Sequence, residues 1–600
     1  GSTDSVKKIK EVSGEQIFSA IISHKVIELI KRTSDYYLTE LGSVAKLVLP
    51  VDVNETPLKI FEQNISNETS LHKLSKEQQL VLEQIENTQR PVLIKGVTGS
   101  GKTEVYFQAA ETQLKLGKQI LIMLPEIALS QQIISRFKDR FGFEPAIWNS
   151  SVTKAQKKRI LRGIINGSVR AVIGARSALF LPYKELGIIV VDEEHDSSYK
   201  QAEGMLYNAR DMAVLRGHIE QCQVLLVSAT PSIESIYNAK ISKYQIAVLE
   251  SRYNEATLPD VEIVDMRQES LPRNFWLSEK VTKSVEENIK NKQQTLIFLN
   301  RRGYAPLVLC KGCGYRFECK SCSSSMVMHK STSRLECHHC GAVSALPKIC
   351  PECQEPDTLI LCGPGIERIA EEANQRFQGS RIAMVSREQA ESPKEMQELL
   401  QKMQEGEIDI LIGTQIVTKG YHFPQLTLVV VVDADVGFMG GDLRAAERTF
   451  QLLHQVGGRA GREDKKGNVL LQTYCPDHKV INALVDKRED LFVQEELSSR
   501  EEAEMPPFAK MAAVTITGKY QDKTLYMARR FASLAPKSSA RILGPTEGAM
   551  FKLSGKYRYK ILVLADRKFH LQKYLELWRD HASVPSSYQL KIDIDPYNFV

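Results

Sequence analysis

Residues 92 to 103 read Val-Leu-Ile-Lys-Gly-Val-Thr-Gly-Ser-Gly-Lys-Thr. An apolar run, Val92 to Lys95, enters a glycine-rich turn and leaves it on a lysine, a threonine and a helical pattern that ends near Gly117. Gly96 to Thr103 fits the phosphate-loop pattern at every position. Glycines let successive backbone N–H groups close around phosphate oxygens, and the following helix N-terminus adds the positive end of its dipole. Gly96, Val97, Thr98, Gly99, Ser100, Gly101, Lys102 and Thr103 are therefore expected to bind a nucleotide. Lys102 is placed for the β and γ phosphates and Thr103 for Mg²⁺. Just upstream, Ser75-x-x-Gln78 is a helix capping box; Gln78 either caps that helix or reads adenine.

Working outward, near-continuous apolar runs recur at Ile120 to Leu124, Val169 to Ile173, Ile188 to Val191 and Val224 to Val227, with helical patterns between them. This predicts an α/β fold whose parallel sheet is covered on both faces. Ligands of such sheets bind outside the carboxyl ends of the strands, so the residues after each run matter most. One of those sequences is Asp192-Glu193-Glu194-His195. Following a phosphate loop by about ninety residues, it offers Asp192 to hold Mg²⁺ and Glu193 to deprotonate the attacking water. A second alternation follows, with runs at Thr295 to Leu299, Ile382 to Val385, Ile408 to Ile412, Leu428 to Val432 and Val469 to Leu471. It has no phosphate loop. It carries Gln455-Val456-Gly457-Gly458-Arg459-Ala460-Gly461-Arg462, whose arginines are expected on one helix face as candidate arginine fingers. The stretch Ser251 to Asn274, with two prolines, reads as the crossing between the halves.

Eight of the eleven cysteines lie between Cys310 and Cys353, in four Cys-x₂-Cys pairs: Cys310 and Cys313, Cys319 and Cys322, Cys337 and Cys340, Cys350 and Cys353. Eight thiolates in such knuckles make two closed all-cysteine zinc sites, structural because no position is left for water. Spacing leaves three groupings of the four pairs open. The cluster interrupts the second alternation after its first strand, which marks it as an insertion. Cys222, Cys362 and Cys475 read as buried small hydrophobes, and His338 and His339 as knuckle-loop residues.

Composition excludes little beyond a membrane helix: 42% of residues are apolar and 25% charged, with no apolar run approaching the roughly 18 residues a span needs. The opening Gly1-Ser2 and its charged sequel lack a signal peptide's apolar region and read as a cloning scar, so a cytoplasmic location is expected. Residues 501 to 600 hold 16 Lys and Arg against 10 Asp and Glu, which is the entire net charge of +6. That excess permits nucleic-acid binding without establishing it.

Together Gly96 to Thr103, Asp192 to His195, Ser228-Ala229-Thr230, Gly413-Thr414-Gln415 through Lys419-Gly420, and Gln455 to Arg462 resemble motifs I, II, III, V and VI of superfamily 2 helicases. The cysteine insertion, the run Asp196 to Gln201 and Asp442-Leu443-Arg444-Ala445-Ala446-Glu447-Arg448 narrow the likeness to the primosomal protein N′ family of bacterial replication-restart helicases. The resemblance spans about Glu15 to Tyr597. It implies two tandem RecA-like parallel-sheet helicase lobes with a zinc-binding insertion, an N-terminal winged helix and a C-terminal α+β domain. The expected divisions are 1–70 winged helix, 71–250 lobe 1, 251–309 linker and start of lobe 2, 310–355 zinc insertion, 356–500 lobe 2 and 501–600 C-terminal domain.

The same likeness implies an ATP-driven 3′ to 5′ DNA helicase that remodels abandoned replication forks and initiates primosome assembly, using ATP, Mg²⁺ and two Zn²⁺. A second reading is a primosome-assembly scaffold in which hydrolysis is secondary, or a related DNA or RNA translocase. Implied partners are forked and single-stranded DNA, single-strand DNA-binding protein, other primosome proteins and the replicative helicase loader. The implied zinc grouping is nested, Cys310, Cys313, Cys350 and Cys353 on one ion and Cys319, Cys322, Cys337 and Cys340 on the other. Arg176 and Ser177 are implied in DNA contact, with Thr414 and Lys419 lining the track in the second lobe. Met205 stands where relatives carry an aromatic residue, which shifts the expected coupling of DNA binding to hydrolysis onto Tyr199 and Tyr207. Gly457, Ala175, Ile366 and Thr418 also depart from the motifs, and the family's 3′-end-binding N-terminal domain is expected to be absent from this sequence.

Overall fold

The computed structural model of the protein describes residues 22–50, 63, 74–125, 131–251, 259–272, 275–299, 308–310, 313, 315, 317, 319, 326–329, 334–336, 342–356, 358–361, 366–385, 393–414, 423–435, 437, 443–461 and 466–597. They form two compact units. Up to Leu249 the described residues make the first, except 97–100 and 232–237, which group with the second unit from Glu250 onward.

The first unit is built on seven strands: β1 (Val92–Gly96), β2 (Gln119–Met123), β3 (Ala146–Trp148), β4 (Ala171–Gly174), β5 (Leu186–Asp192), β6 (Gln223–Ser228) and β7 (Gln245–Leu249). Their order is β3-β4-β2-β5-β6-β1-β7, and every pairing is parallel. Ile94, Ile120, Ile173, Val190 and Val227 meet Val105, Phe107 and Ala110 of the helix Lys102–Lys115 in one buried cluster. Each of these valine, isoleucine and phenylalanine side chains stabilises the unit by about 1.5–3 kcal/mol through its burial. Because the strands are parallel, Gly96, Met123, Trp148, Gly174, Asp192 and Ser228 end at a common edge. The helices His24–Tyr37 and Leu41–Val48 precede the sheet, and Tyr37 Oη accepts a 3.0 Å hydrogen bond from Asn208 N. Most of the rest of the expected winged helix lies outside the described residues.

In the second unit the chain runs through β8 (Asp260–Asp265) and β9 (Gln294–Phe298) before five short strands. These are β10 (Val308–Cys310), β11 (Val327–His329), β12 (Arg334–Glu336), β13 (Val343–Ala345) and β14 (Leu359–Leu361). It then returns through β15 (Ile382–Met384), β16 (Ile410–Gly413), β17 (Leu426–Val431) and β18 (Asn468–Thr473). The main sheet, β15-β16-β9-β17-β18-β8, is again wholly parallel, while β10 to β14 make two small antiparallel sheets of their own. The cysteine module is thus an insertion, as its position in the alternation predicts. One expectation needs correcting: the presumed crossing contains β8, which pairs with β18 over six residues. β8 is an edge strand whose residues are mostly exposed or half-buried, so it lacks the apolar run that marks an inner strand.

Beyond the second sheet a four-stranded antiparallel sheet forms, from β19 (Ala509–Gly518), β20 (Arg541–Leu553), β21 (Lys556–Asp566) and β22 (Gln589–Ile594) in the order β20-β21-β19-β22. Its helices Gln521–Ser533 and Leu571–Ala582 meet where Phe531 stacks on Trp578 at 4.6 Å. No helix among the described residues is long and apolar enough to cross a membrane.

Within the second unit a buried ion network ties three segments together. Arg500 reaches Glu447 (2.7 Å), Glu496 (3.0 Å) and Glu234 (3.6 Å). Arg444 pairs with the same Glu234, donates to Pro596 O at 3.0 Å and stacks over Tyr597. Glu447 also accepts from the backbone N–H of Ile233 at 2.9 Å. The family-marking run at Arg444 to Arg448 is therefore the hub of this network.

Candidate functional site

The edge at which β5, β6 and β1 end side by side gathers the predicted hydrolytic residues of the first unit. After β1, Gly99 and Gly101 adopt φ of +87° and +79°, a region open to glycine at no steric cost. Gly101 is the N-cap of the helix Lys102–Lys115, which leaves that helix's first N–H groups without a side-chain cap. Lys102 Nζ donates to Gly96 O at 2.7 Å, folding the amine back over its own loop.

Asp192 ends β5. Its Oδ1 accepts the Glu193 N–H at 2.9 Å and its Oδ2 the hydroxyl of Tyr106 at 3.2 Å. Burial, with the neighbouring Glu193 carboxylate, pushes the Asp192 acid up to about 7, while Lys102 and these hydrogen bonds pull the other way. A carboxyl poised there binds a cation and a proton competitively. Tyr106 is itself fully buried, so its phenol ties the helix that carries Thr103 to the carboxylate expected to hold Mg²⁺. The donor set, a hydroxyl and a carboxylate beside phosphate oxygens, suits Mg²⁺, which favours oxygen ligands and few protein groups.

Glu193 leaves the strand at φ +49°, a left-handed conformation uncommon outside glycine and asparagine. Its Oε2 is buried and takes no hydrogen bond among the described residues, with His195 Nδ1 3.6 Å away. An acceptor held open in this way is what a base needs. His195 Nδ1 shares a 2.7 Å hydrogen bond with Ser228 Oγ, which also accepts the Thr230 N–H, so the acidic turn is tied to the end of β6. Glu194 is fully buried against Arg210 at 3.2 Å and is structural.

Tyr199 Oη shares its one proton between Asp192 O (2.6 Å) and Met123 O (3.0 Å), and Tyr207 packs edge-on to Phe180 at 5.1 Å. Phe180 closes the 3₁₀ turn Arg176–Phe180, which also carries Ser177, and Arg176 donates to Lys200 O at 3.3 Å. Both expected coupling tyrosines are thus buried under the turn and the acidic strand end.

Gln78 adopts the capping-box alternative: Ser75 N–H donates to its Oε1 at 2.9 Å, and its own N–H to Ser75 Oγ at 3.2 Å. Its amide packs so closely on Gly101 that a β-carbon there would fall 2.2 Å from Nε2.

In the second unit the helix Ala445–Gly457 stops two residues before Arg459, which sits in a turn with its N–H on Val456 O. The expectation that Arg459 and Arg462 share a helix face fails at Gly457-Gly458, where paired glycines end the helix; Arg462 lies outside the described residues. Thr98, which groups with this unit, lies against that turn, 3.0 Å from where a Gly458 β-carbon would be. Thr414 follows β16 half-buried, and Lys419 falls outside the described residues.

Cys310, Cys313, Cys350 and Cys353 converge, all four sulfurs within 4.8 Å of one another. Cys310 to Cys353 and Cys313 to Cys350 are both 3.6 Å. Sulfurs about 2.3 Å from a tetrahedral Zn²⁺ stand roughly 3.8 Å apart, so the residues fit that ion. Of the three groupings left open by spacing, this first site is the nested one. Cys319 is buried nearby in the module's small core, while Cys322, Cys337 and Cys340 lie outside the described residues, as do Cys362, His338 and His339. Cys222 and Cys475 prove half-buried rather than buried.

Tyr106 is the side chain at this site that motif reading missed, while Ser228 was read within motif III without a role of its own. Beside Phe107 in an apolar helix a tyrosine reads as core, and only its hydroxyl's reach reveals the second role.

Comparison with known proteins agrees with this geometry. Residues 75–239 match the family model of the DEAD/DEAH box helicase and 341–464 the helicase conserved C-terminal domain. Residues 319–344 match the PriA DNA helicase Cys-rich region and 501–597 the primosomal protein N C-terminal domain. The chain is 56% identical over 592 residues to the replication restart protein PriA of Rickettsia felis, covering 99% of this chain and 91% of that one. Its identity to the protein of that name from Bacillus subtilis is 35% over 582 residues, with coverages of 95% and 72%. For Haemophilus influenzae the figures are 37% over 508 residues, 84% and 69%.

Proposed function

Since the chain belongs to the PriA family of replication restart helicases, we propose that it hydrolyses ATP to move 3′ to 5′ along DNA, remodels abandoned replication forks and initiates primosome assembly. The observation that carries this reading is the meeting of Lys102, Asp192 and the open carboxylate of Glu193 at one sheet edge. The loop's N–H groups cradle the phosphates, and Lys102 exchanges Gly96 O for a phosphate oxygen. Thr103 and Asp192 would hold Mg²⁺, which would draw charge off the phosphates. Glu193 Oε2 takes the proton of the attacking water, and His195 and Ser228 keep that turn in place. Arg459 and Arg462 neutralise the charge that develops on the transferred group.

Arg176, Ser177, Thr414 and Lys419 hold the tracked strand, with Tyr199 and Tyr207 relaying its presence to the acidic turn. Cys319, Cys322, Cys337 and Cys340 bind a second Zn²⁺. Residues 1–70 serve as a winged helix and 501–600 as a surface for DNA and single-strand-binding protein, with 71–250 and 356–500 as motor lobes in the bacterial cytosol. Helicase assays on forks with 3′ or 5′ single-stranded tails test the direction: equal unwinding of both overturns it. Glu193→Gln should lower DNA-stimulated hydrolysis about 10²–10⁴-fold, and turnover near wild type would remove Glu193 as the base.

A further inference from the structure

From Pro145 to Lys184 the chain runs forty residues without an aspartate or glutamate, while carrying Lys154, Lys157, Lys158, Arg159, Arg162, Arg170, Arg176 and Lys184. In a protein with 73 carboxylates in 600 residues, such a stretch is a local departure in composition. Its centre is the helix Lys154–Asn166, capped by Thr153, which buries Ile160, Leu161 and Ile164 and turns its other face outward. Lys154 and Lys158, four residues apart, lie on one stripe of that face, and Lys157 stands 5.9 Å over the ring of Trp148. None of these three lysines makes an ion pair among the described residues. Elsewhere the same helical spacing is neutralised, as by Glu111 for Lys115, Glu279 for Lys283 and Glu372 for Arg376. An ordinary solvated helix of this protein mixes its charges; this one does not.

Its position gives the charge a direction. β3 leads into the helix and β4 leads into Arg176, and the two strands are parallel neighbours with Trp148 beside Gly174. Ala175 N–H donates to Trp148 O at 3.0 Å, which binds the two strand exits together. The first turn of the helix and the Arg176–Phe180 turn therefore share one rim of the first sheet.

We infer that Lys154, Lys157 and Lys158 extend the Arg176 turn into a sequence-independent phosphate-binding rim for the sugar-phosphate backbone of DNA. The inference rests on the DNA-helicase reading above and adds a contact surface to it. Lysine suits the task because a flexible point charge meets phosphates without demanding a base or a fixed fork. Three phosphate contacts would release about two counterions' worth of salt dependence on a single strand.

The test is DNA binding by the full chain across 50 to 200 mM salt, using a fluorescent mixed-sequence oligonucleotide, for wild type and the triple variant K154Q/K157Q/K158Q. The expected result is a slope of log affinity against log salt shallower by about two, with Kd weakened about tenfold at the low-salt end. An unshifted thermal midpoint and far-UV spectrum show that the helix remains folded, as glutamine's good helix propensity favours. If the variant keeps the wild-type slope and a Kd within twofold, the rim is wrong while the motor reading stands. If wild type itself shows no salt-dependent DNA affinity, the motor reading fails and the rim with it.

Discussion

The two parallel sheets share a frame and part company at one strand exit. β1 opens through Gly99 and Gly101 onto the bare N-terminus of a helix, with Lys102 folded over the turn. β9 opens instead toward a module whose four sulfurs close on one another. The first exit presents a helix start that no side chain caps and so can take up and release an anion. The second satisfies every ligand internally and so can only be held shut. A strand's carboxyl end is thus a location; whether it turns over substrate or merely stabilises depends on whether the residues placed there keep an open position.

The largest effect that separates the two exits is metal removal. Replacing Cys310 and Cys350 by serine should lower zinc by one equivalent in elemental analysis and unfold the module, whose folding free energy is tied to about 10 kcal/mol of metal binding. A module as resistant to proteolysis as wild type would break the contrast. Next comes Lys102→Ala, which should cut kcat for hydrolysis about 10²–10³-fold by removing a preorganised cation, with zinc content untouched. A loss of zinc in that variant would show the exits to be coupled.

The smallest effects concern Asp192, whose acid is raised to about 7. A proton then competes with Mg²⁺, so apparent Mg²⁺ affinity, read from metal-dependent binding of a fluorescent nucleotide, should fall about tenfold from pH 8 to pH 6. The sign follows from the raised value: the carboxylate form is lost as pH drops through 7. Tyr106→Phe removes a hydrogen bond that favours the charged carboxylate, so at pH 6, below the midpoint of the acid, the same measurement should weaken about fivefold, near 1 kcal/mol. Unchanged Mg²⁺ dependence would leave Tyr106 a core residue only.

Legibility in the sequence tracked burial. β1, β2, β5 and β6 lie inside the first sheet, and their continuous apolar runs placed them within about two residues. β7 was missed because its exposed and buried residues alternate at an edge, β3 because three residues make no pattern, and β8 because it combines edge position with prolines nearby. At the site, spacing sufficed wherever chemistry demands a fixed motif, as in Gly96 to Thr103, Asp192 to Glu193 and the Cys-x₂-Cys pairs. It failed for Arg459, where a helical period was carried past two glycines that end the helix. Tyr106 and the Arg500 network were invisible because their partners are remote in the chain: 86 residues separate Tyr106 from Asp192, and 53 separate Glu447 from Arg500.

That network also constrains how the protein can drift over evolutionary time. Deleting one member of a buried charge group costs about 3–5 kcal/mol because it strands the others, whereas replacing the group with apolar residues of similar volume is often neutral. Glu234, Glu447, Glu496, Arg444 and Arg500 should therefore be inherited as a block, changing together or not at all. Chimeras that take residues 232–237 from one relative and 444–500 from another should fold only when the donors agree at all five positions.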